Sequence, residues 1–198
     1  MKLSALTRSR GGRVALAAVP ATLAVSALMT GVAYGTVPVS FAVSGSPFKI
    51  SASELNGTQF SQYGGIAQEK SGKMHPVAIA NIKSASLSNL CQSVVADTPL
   101  GKLGLLIHAG GGDTPAKATD LQIGMTELSG DAEFTDIRIG VDASSVITDA
   151  KGTQGDFAQD ASKVKITDLK QTAWSTTAGT FALTGMQLQL TNGTECFQ

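Results

Sequence analysis

Hydrophobic and polar residues alternate with a period of two along most of the chain. Val37, Val39 and Phe41, for example, alternate with Pro38 and Ser40. Successive side chains of a strand point to opposite faces, so this pattern predicts half-buried strands rather than helices. We therefore predict an all-β fold, either an antiparallel sandwich or a curved β-sheet built from repeated amphipathic hairpins. The predicted strands cover residues 37–45, 47–55, 102–108, 119–128, 134–142, 163–169 and 179–191.

Polar and glycine-rich segments between these runs predict the turns. Asn56 and Asn192 each begin an "NGT" segment, and Asn-Gly is the preferred dipeptide of a type I′ turn, so we interpret both as turn residues rather than glycosylation sites. The alternation shifts phase near Gly185, which suggests a bulge. Only residues 84–95 and 157–163 have a pattern that helices also show, and their serine content favours helices little. The other predicted turns are "SGSP" at 44–47, "SGD" at 129–131 and "DAKGTQGD" at 149–156.

An internal repeat links two distant parts of the sequence. The segments "ISASELNG" at 50–57 and "IGMTELSG" at 123–130 share the pattern I-x-x-[ST]-E-L-x-G, and each is followed by a phenylalanine, Phe60 and Phe134. A true duplication and two independent amphipathic hairpins explain this pattern equally well.

The repeats predict a common apolar face that breaks phase at the same step. Leu55 and Leu128 fall on the face opposite to the preceding apolar residues unless a bulge intervenes at Ser53–Glu54 or Thr126–Glu127. With the bulges, each hairpin keeps one apolar face and curves around a closed core or a lipid-holding trough. Without them, both faces are half covered and the domain needs a partner. The predicted face consists of Ile50, Ala52, Leu55, Ile123, Met125 and Leu128.

The N-terminal residues have the features of an export signal. Four basic residues and no acidic residue precede an uncharged run of 22 residues at 14–35, which predicts an apolar export helix. Ala33 and Gly35 suit signal-peptidase cleavage, although the run is also long enough for an uncleaved anchor. We therefore predict a signal peptide or N-terminal membrane anchor at 1–35 and a single β-rich extracytoplasmic domain at 36–198. The domain would be secreted or membrane-anchored facing outward.

Charge narrows the choice of partners. Four of the 15 basic residues and none of the 15 acidic residues lie in the N-terminal segment, so the predicted domain has a net charge of −4. A mildly acidic domain without a basic stripe is unsuited to nucleic acid, which we exclude as a partner.

Cys91 and Cys196 are the only two cysteines of the sequence. An even number of cysteines in an exported chain predicts a disulfide, here closing a loop of roughly 100 residues and contributing on the order of 4 to 5 kcal/mol. No CxxC motif and no paired histidine lies nearby, so metal binding or nucleophilic catalysis is the weaker interpretation.

The glycine-rich segment "HAGGG" contains His108, Gly110, Gly111 and Gly112 and resembles the oxyanion loop of esterases and lipases. Such a hydrolase also needs a G-x-S-x-G elbow and a histidine that follows the nucleophile. The sequence contains no G-x-S-x-G segment, and His75 is its only other histidine. A surface loop that closes a strand explains the segment better. The glycines also lack the GK[ST] ending of a phosphate-binding loop.

Acidic residues cluster around the second repeat and suggest calcium. Their spacing matches no EF-hand or other Asp-x-Asp loop, so an exposed hairpin flank is the better interpretation. We predict no catalytic residue, no metal ligand and no cofactor. The clustered acids are Glu127, Asp131, Glu133, Asp136 and Asp142.

The segments "SFAVSGSPFKISASELNGTQFSQYGG" and "HPVAIANIKSASLSNLCQSV" resemble a family of exported actinobacterial proteins that is classed as a domain of unknown function. The resemblance covers essentially the whole chain, from the basic and apolar N-terminus through Cys91 to Cys196. Some members carry the label cholesterol esterase, so the resemblance implies that activity as an alternative. It implies no particular catalytic residue.

Two functions therefore compete. The first is a non-catalytic secreted or cell-envelope protein with a structural or binding role, whose candidate partners are a lipid, an envelope protein, or the membrane through an uncleaved N-terminal segment. The second is a hydrolase of sterol or lipid esters, which is disfavoured because no serine triad can be assembled.

Overall fold

The computed structural model describes residues 42–99 and 101–198, and they form one sheet of ten strands. All neighbouring strands are antiparallel except the short first strand, which pairs in parallel with the second. The all-β prediction is confirmed, whereas the predicted N-terminal export helix lies outside the described residues. The strands are β1 (Ala42–Val43), β2 (Phe48–Glu69), β3 (Met74–Ser88), β4 (Leu90–Thr98), β5 (Gly101–Ala109), β6 (Ala116–Thr135), β7 (Arg138–Asp142), β8 (Phe157–Thr177), β9 (Thr180–Ala182) and β10 (Gln187–Thr191).

Four long strands close into a ring. β2 pairs with β3, β3 with β6, β6 with β8, and β8 pairs back with β2. The closing β2–β8 ladder runs from Phe48 opposite Ala173 to Tyr63 opposite Ala158. Of the two predicted architectures, the curved sheet is therefore confirmed and the sandwich is wrong, because one sheet curves until it closes as a β-barrel instead of two sheets packing face to face.

The ring strands bend along one line that crosses all of them. Gln59 in β2 and Asp120 in β6 have left-handed φ values of 51° and 48°. The ladders skip one residue on each strand where Gln59 faces Lys83, where Lys83 faces Asp120, and where Gln59 faces Ser162. Asp136, with φ of 53°, extends this line because it accepts a hydrogen bond from Ser162. We call these five residues the corner row.

The corner row keeps the apolar side chains on the inside of the ring. At each crossing two polar residues separate two buried ones, so the alternation shifts by one position where the strand bends. Without this shift, the half of each strand beyond the bend would turn its apolar residues outward. The buried pairs are Gly57 and Phe60, Ile82 and Ala85, Ala118 and Leu121, and Ala161 and Val164.

The interior of the ring is packed by aliphatic, alanine and phenylalanine side chains. Phe60 and Phe134, which follow the two sequence repeats, meet there with ring centroids 5.4 Å apart. The buried core residues of the ring strands are Ile50, Ala52, Leu55, Phe60, Ala80, Ile82, Ala85, Leu87, Ala116, Ala118, Leu121, Ile123, Met125, Ala161, Val164, Ile166, Leu169 and Ala173.

The predicted apolar face of the first repeat is confirmed. Ile50, Ala52 and Leu55 are all buried in the core, so the phase does break between Ala52 and Leu55. At this step the β2–β8 ladder skips Ser53 and Asp168, and Asp168 has a left-handed φ of 52°. A matched interruption on both strands thus takes the place of a one-sided bulge.

The same prediction is wrong for the end of the second repeat. Ile123 and Met125 are buried, but the side chain of Leu128 is 42% exposed. The β6–β8 register shifts on both sides of Met125. Gly124 opposite Ser175 and Glu127 opposite Thr172 show that the two shifts cancel, so Leu128 does not return to the core face.

Several predicted turns lie inside long strands. Asn56 is in the middle of β2, and Gly130 of the "SGD" segment lies within β6, where a left-handed φ of 145° accompanies a register shift. Conversely, the phase shift near Gly185 is a turn between β9 and β10 rather than a bulge. Both segments with a helix-compatible pattern are strands. Asn192 does lie in a bend, directly after β10.

Three strands extend the sheet beyond the ring. β4 continues β3 after Asn89, which has a left-handed φ of 51°, and keeps the same register against β2 at Lys49 opposite Ser93. β5 pairs with β4, and β10 pairs with β5 to form one edge of the sheet. We call β4, β5 and β10 the extension. The opposite edge is β7, which pairs with the start of β8.

We predict that Gly57→Ala destabilises the fold by about 1 to 3 kcal/mol, the usual effect of overpacking a core. A Cβ atom at Gly57 would lie 2.6 Å from the side chain of Ile82 and 3.0 Å from that of Val164. Gly64→Ala in the same strand is the matched control, because a Cβ there meets nothing within 4 Å. Urea unfolding of both variants tests this, and equal midpoints would contradict it.

Candidate functional site

The glycine-rich loop lies at the boundary between the extension and the ring. His108 is exposed near the end of β5, and Gly111 and Gly112 are exposed in the loop that leads to β6. No hydrogen bond joins the ring of His108 to any serine in the part of the chain that the structure describes. The loop therefore places the histidine beside glycines but not beside a nucleophile.

Gly110 has a structural role in this loop. Its N–H donates to the carbonyl of Thr184, and its own carbonyl accepts from the N–H of Asn89. Its φ is 67°, and a Cβ atom there would lie 2.6 Å from the carbonyl oxygen of Leu87. Only glycine suits this close approach. Because its N–H is already bonded, Gly110 is not available as an oxyanion donor.

His75 is the histidine with an acidic partner. Its Nε2 lies 2.7 Å from Oε1 of Glu69, and its ring stacks on Trp174 with centroids 3.6 Å apart. Hydrogen bonding to His75, with a second bond from Ser71, holds the pKa of Glu69 below its usual range. Glu69 lies between the serine and the histidine, whereas a hydrolytic triad needs the histidine between the hydroxyl and the acid.

Two open crevices lie beside the corner row on the described surface. One, of about 520 Å³, is lined by hydroxyl, amide and small side chains together with Glu133 and the lysines Lys117, Lys163 and Lys165. The other, of about 450 Å³, contains Lys83, whose ion pairs with Asp120 and Asp149 raise its pKa and keep it protonated. Charged side chains line both crevices, unlike the wholly apolar trough that a lipid chain would fill.

The acidic residues of the second repeat do not converge on a metal site. Within residues 42–99 and 101–198, no group of three or more His, Cys, Asp or Glu residues is arranged to hold a metal ion. Asp142 instead caps a 3₁₀ turn, where it accepts from the N–H groups of Ser144 and Gly155. The hydroxyl of Ser144 also donates to Asp142, and this bond, together with the two backbone N–H groups, lowers the pKa of Asp142.

An ion pair between half-exposed Arg138 and buried Asp160 holds the β7 edge. The side chain of Asp160 is 1% exposed and receives two hydrogen bonds from Arg138, at 2.8 and 2.6 Å, and one from the N–H of Ile147. The Arg138 bonds are the main reason that the pKa of Asp160 lies below its usual range, although burial opposes them.

The predicted disulfide between Cys91 and Cys196 is confirmed. It ties the C-terminal segment, residues 192–198, across one face of the extension. The N–H of Cys196 donates to Ser93, and Lys49 contacts both the carboxylate of Glu195 and the carbonyl of Phe197. Leu106 and Ser93 are buried on this face. The C-terminal segment thus covers one of the two faces of the extension.

The other face of the extension is mostly apolar and is only partly covered within the described part of the chain. Gln92, opposite Ile107, is its polar member, and Val94, Leu105 and Ile107 are half-buried. Leu188 faces Ile107, and Leu190 faces Leu105, which in turn faces Val94. Opposite residues of a ladder share a face. We define the apolar face as Val94, Leu103, Leu105, Ile107, Leu188 and Leu190, of which Leu103, Leu188 and Leu190 are 48%, 53% and 71% exposed.

Sequence reasoning missed this face as a site. The alternation in "KLGLLIH" and "QLQLT" did predict strands there, but it does not distinguish an uncovered face from a core face. The signal that distinguishes the two faces is Cys196, because the disulfide determines which face the C-terminal segment covers.

The structure defines the molecule as a disulfide-bonded β-barrel protein with a three-stranded extension. Residues 44–197 match the family of unknown function DUF6230, and the chain belongs to that family. Searches of curated proteins and of solved structures find no match. In the part of the chain that the structure describes, no helix has the length and apolarity needed to span a membrane.

We predict that replacing both Cys91 and Cys196 by serine lowers the free energy of unfolding by about 4 kcal/mol, because the unfolded chain gains a long unconstrained loop. Urea unfolding measures this. Reduction should bring the wild-type protein to the same midpoint while leaving the variant unchanged. Two alkylatable thiols in the unreduced wild-type protein would contradict the disulfide.

We predict that Asp160 makes stability depend on pH in the acidic range. Because its pKa is lower in the folded state, it stabilises the fold above about pH 4, and that contribution is lost as the pH falls through the folded pKa. Asp160→Asn should therefore lose less stability than the wild type between about pH 6 and pH 3. Asp131→Asn, at an exposed position, is the control and should follow the wild type. Equal pH dependence in all three proteins would contradict the prediction.

Proposed function

We propose that this protein is an exported, non-catalytic binding protein whose apolar face docks on uncharged lipid. The observation that carries the proposal is the apolar face itself, with three leucines about half exposed or more on a sheet whose other face is covered. Burying the exposed part of each leucine would contribute on the order of 1 kcal/mol, so the three leucines together suffice for measurable binding.

The composition of the apolar face favours acyl chains over a protein partner. Its six residues are all aliphatic, with neither the aromatic nor the arginine side chains that anchor protein interfaces. Aliphatic side chains provide non-directional burial, which suits the disordered interior of a lipid layer. The net charge of −4 of residues 36–198 disfavours anionic headgroups and supports an uncharged lipid.

Export is supported by two independent features. The basic and apolar residues 1–35 match a signal peptide or an outward-facing anchor, and the Cys91–Cys196 disulfide suits an oxidising compartment. An extracytoplasmic domain with an apolar face would meet the membrane or other envelope lipids, either after secretion or from an N-terminal anchor.

The hydrolase alternative has less support. The N–H of Gly110 is bonded to Thr184, and the Glu69–His75 pair lacks a hydroxyl on the histidine. A binding role would use the uncovered leucines. An esterase would instead need a hydroxyl bonded to a histidine, and no such bond is present among the described residues.

We predict that residues 36–198 float with phosphatidylcholine vesicles and that Leu188→Ser with Leu190→Ser reduces the bound fraction about tenfold or more. Removal of residues 1–35 ensures that the N-terminal run does not insert. The matched control is Ile139→Ser with Phe157→Ser, which are 67% and 64% exposed near the opposite sheet edge. This control should bind like the wild type.

Two results would contradict the lipid proposal. One is a wild-type protein that does not float, and the other is an equal loss in the control variant. Ester hydrolysis that disappears in a His108→Ala variant would instead support the hydrolase alternative.

A further inference from the structure

The edge strand β10 has none of the usual structural features that prevent an edge from pairing with another strand. β10 pairs only with β5 in the described part of the chain, and four of its five residues are exposed. The backbone groups on its outer side have no protein partner among the described residues. Free N–H and C=O groups at a sheet edge are a template for a further strand.

The opposite edge is protected, which makes the contrast informative. In β7, Gly140 has a left-handed φ of 84° at a register shift, and Arg138 and Asp142 add a charge at each end of the strand. Bulges and charges are the usual means of blunting an edge. β10 has neither, because "QLQLT" contains no charge and no proline, and it pairs with β5 without a register shift.

The β10 strand is held in place before any partner arrives. Before it, the carbonyl of Thr184 accepts a hydrogen bond from Gly110, and the N–H of Met186 donates to Leu183. After it, the C-terminal segment returns to the disulfide at Cys91. A strand fixed at both ends loses little conformational freedom when it pairs, which favours association.

The sequence of β10 is complementary to itself. In an antiparallel pair centred on Gln189, Leu188 lies opposite Leu190 of the second copy, Gln187 lies opposite Thr191, and Gln189 lies opposite its own counterpart. This register uses all five residues and keeps both leucines of each copy on the same face. A slip by one residue would place leucine opposite glutamine.

We propose that β10 is a homodimerisation site, at which two copies of this chain pair antiparallel about a twofold axis through Gln189. The pairing is isologous, as most dimer interfaces are, and closes after two copies because it consumes the open edge of each. The two extensions then form one sheet of six strands, and their apolar faces join side by side. This inference does not depend on lipid binding.

The test uses charges at the twofold axis. Gln189→Lys places two lysines directly opposite each other in the dimer, and Gln189→Glu places two glutamates there, so each variant should be monomeric. An equimolar mixture of the two variants should recover a heterodimer, because opposite charges then meet. Native mass spectrometry and sedimentation of the full chain, with its disulfide intact, measure all four samples, the wild type included.

The control variant is Ile139→Lys on the protected edge, which should remain dimeric. Association through residues 1–35 would be insensitive to Gln189 and is thereby distinguished. Gln189 lies on the face opposite to Leu188 and Leu190, so its variants keep the leucines that the lipid proposal needs. Vesicle flotation and the oligomeric state therefore test the lipid proposal and the dimer proposal independently.

The expected result is a dimeric wild type, two monomeric variants with wild-type circular dichroism, and a dimer in their mixture. A monomeric wild type, a wild type that forms larger assemblies, a dimer that persists in Gln189→Lys, or a mixture that stays monomeric would each overturn the proposal.

Discussion

Closure of the ring by β2 and β8 is the constraint on which the rest of the structure depends. A ring of only four strands encloses a core only if the strands coil strongly. β2 shows how strongly. Its first residue, Phe48, pairs with Ala173, and the adjacent Trp174 stacks on His75, which pairs with Ala67 near the other end of β2. Both ends of a strand of 22 residues thus approach the same region. The corner row permits this bending, because left-handed residues change the direction of the strand and keep its apolar residues inside.

The all-β fold class and the Cys91–Cys196 disulfide could be predicted from the sequence, but the lengths of the strands and the closure of the barrel could not. Period-two alternation is a local signal, and it correctly indicated strands around Ile50, Ile123 and Ile166. The predicted turn at Asn56 was wrong, because Asn-Gly normally forms a hairpin turn but here lies inside β2. In this fold Gly57 is required for another reason, the close approach of Ile82 and Val164 across the ring. Each phase change at the corner row is visible in the sequence as two polar residues between apolar ones. Nothing in the local sequence, however, indicates that the four phase changes lie side by side in neighbouring strands. That alignment arises only from tertiary pairing. The apolar face was likewise invisible, since its leucines have the same pattern as core residues.

The arrangement of the ring bears on the sequence repeat. The two copies lie in β2 and β6, which alternate with β3 and β8 around the ring, so each copy is flanked by the same two strands. Phe60 and Phe134, one from each copy, contact each other in the core. This is the placement that a duplicated hairpin would give. The copies differ at their ends. The matched interruption at Ser53 brings Leu55 back to the core, whereas the two register shifts around Met125 cancel and leave Leu128 exposed.

The β2–β8 ladder also determines the order in which the molecule can form. β2 ends at Glu69, whereas its closing partner begins at Phe157, so the ladder joins segments that are far apart in the chain. Pairings of such high sequence separation form slowly, because the entropy of a long loop is lost before the contacts compensate for it. The β2–β3 hairpin, in contrast, is local and can form early. A chain that emerges one segment at a time during synthesis would therefore carry this hairpin with one unpaired edge until β8 follows. During that interval the exposed edge of β2 is where a chaperone would bind and where misassembly would begin.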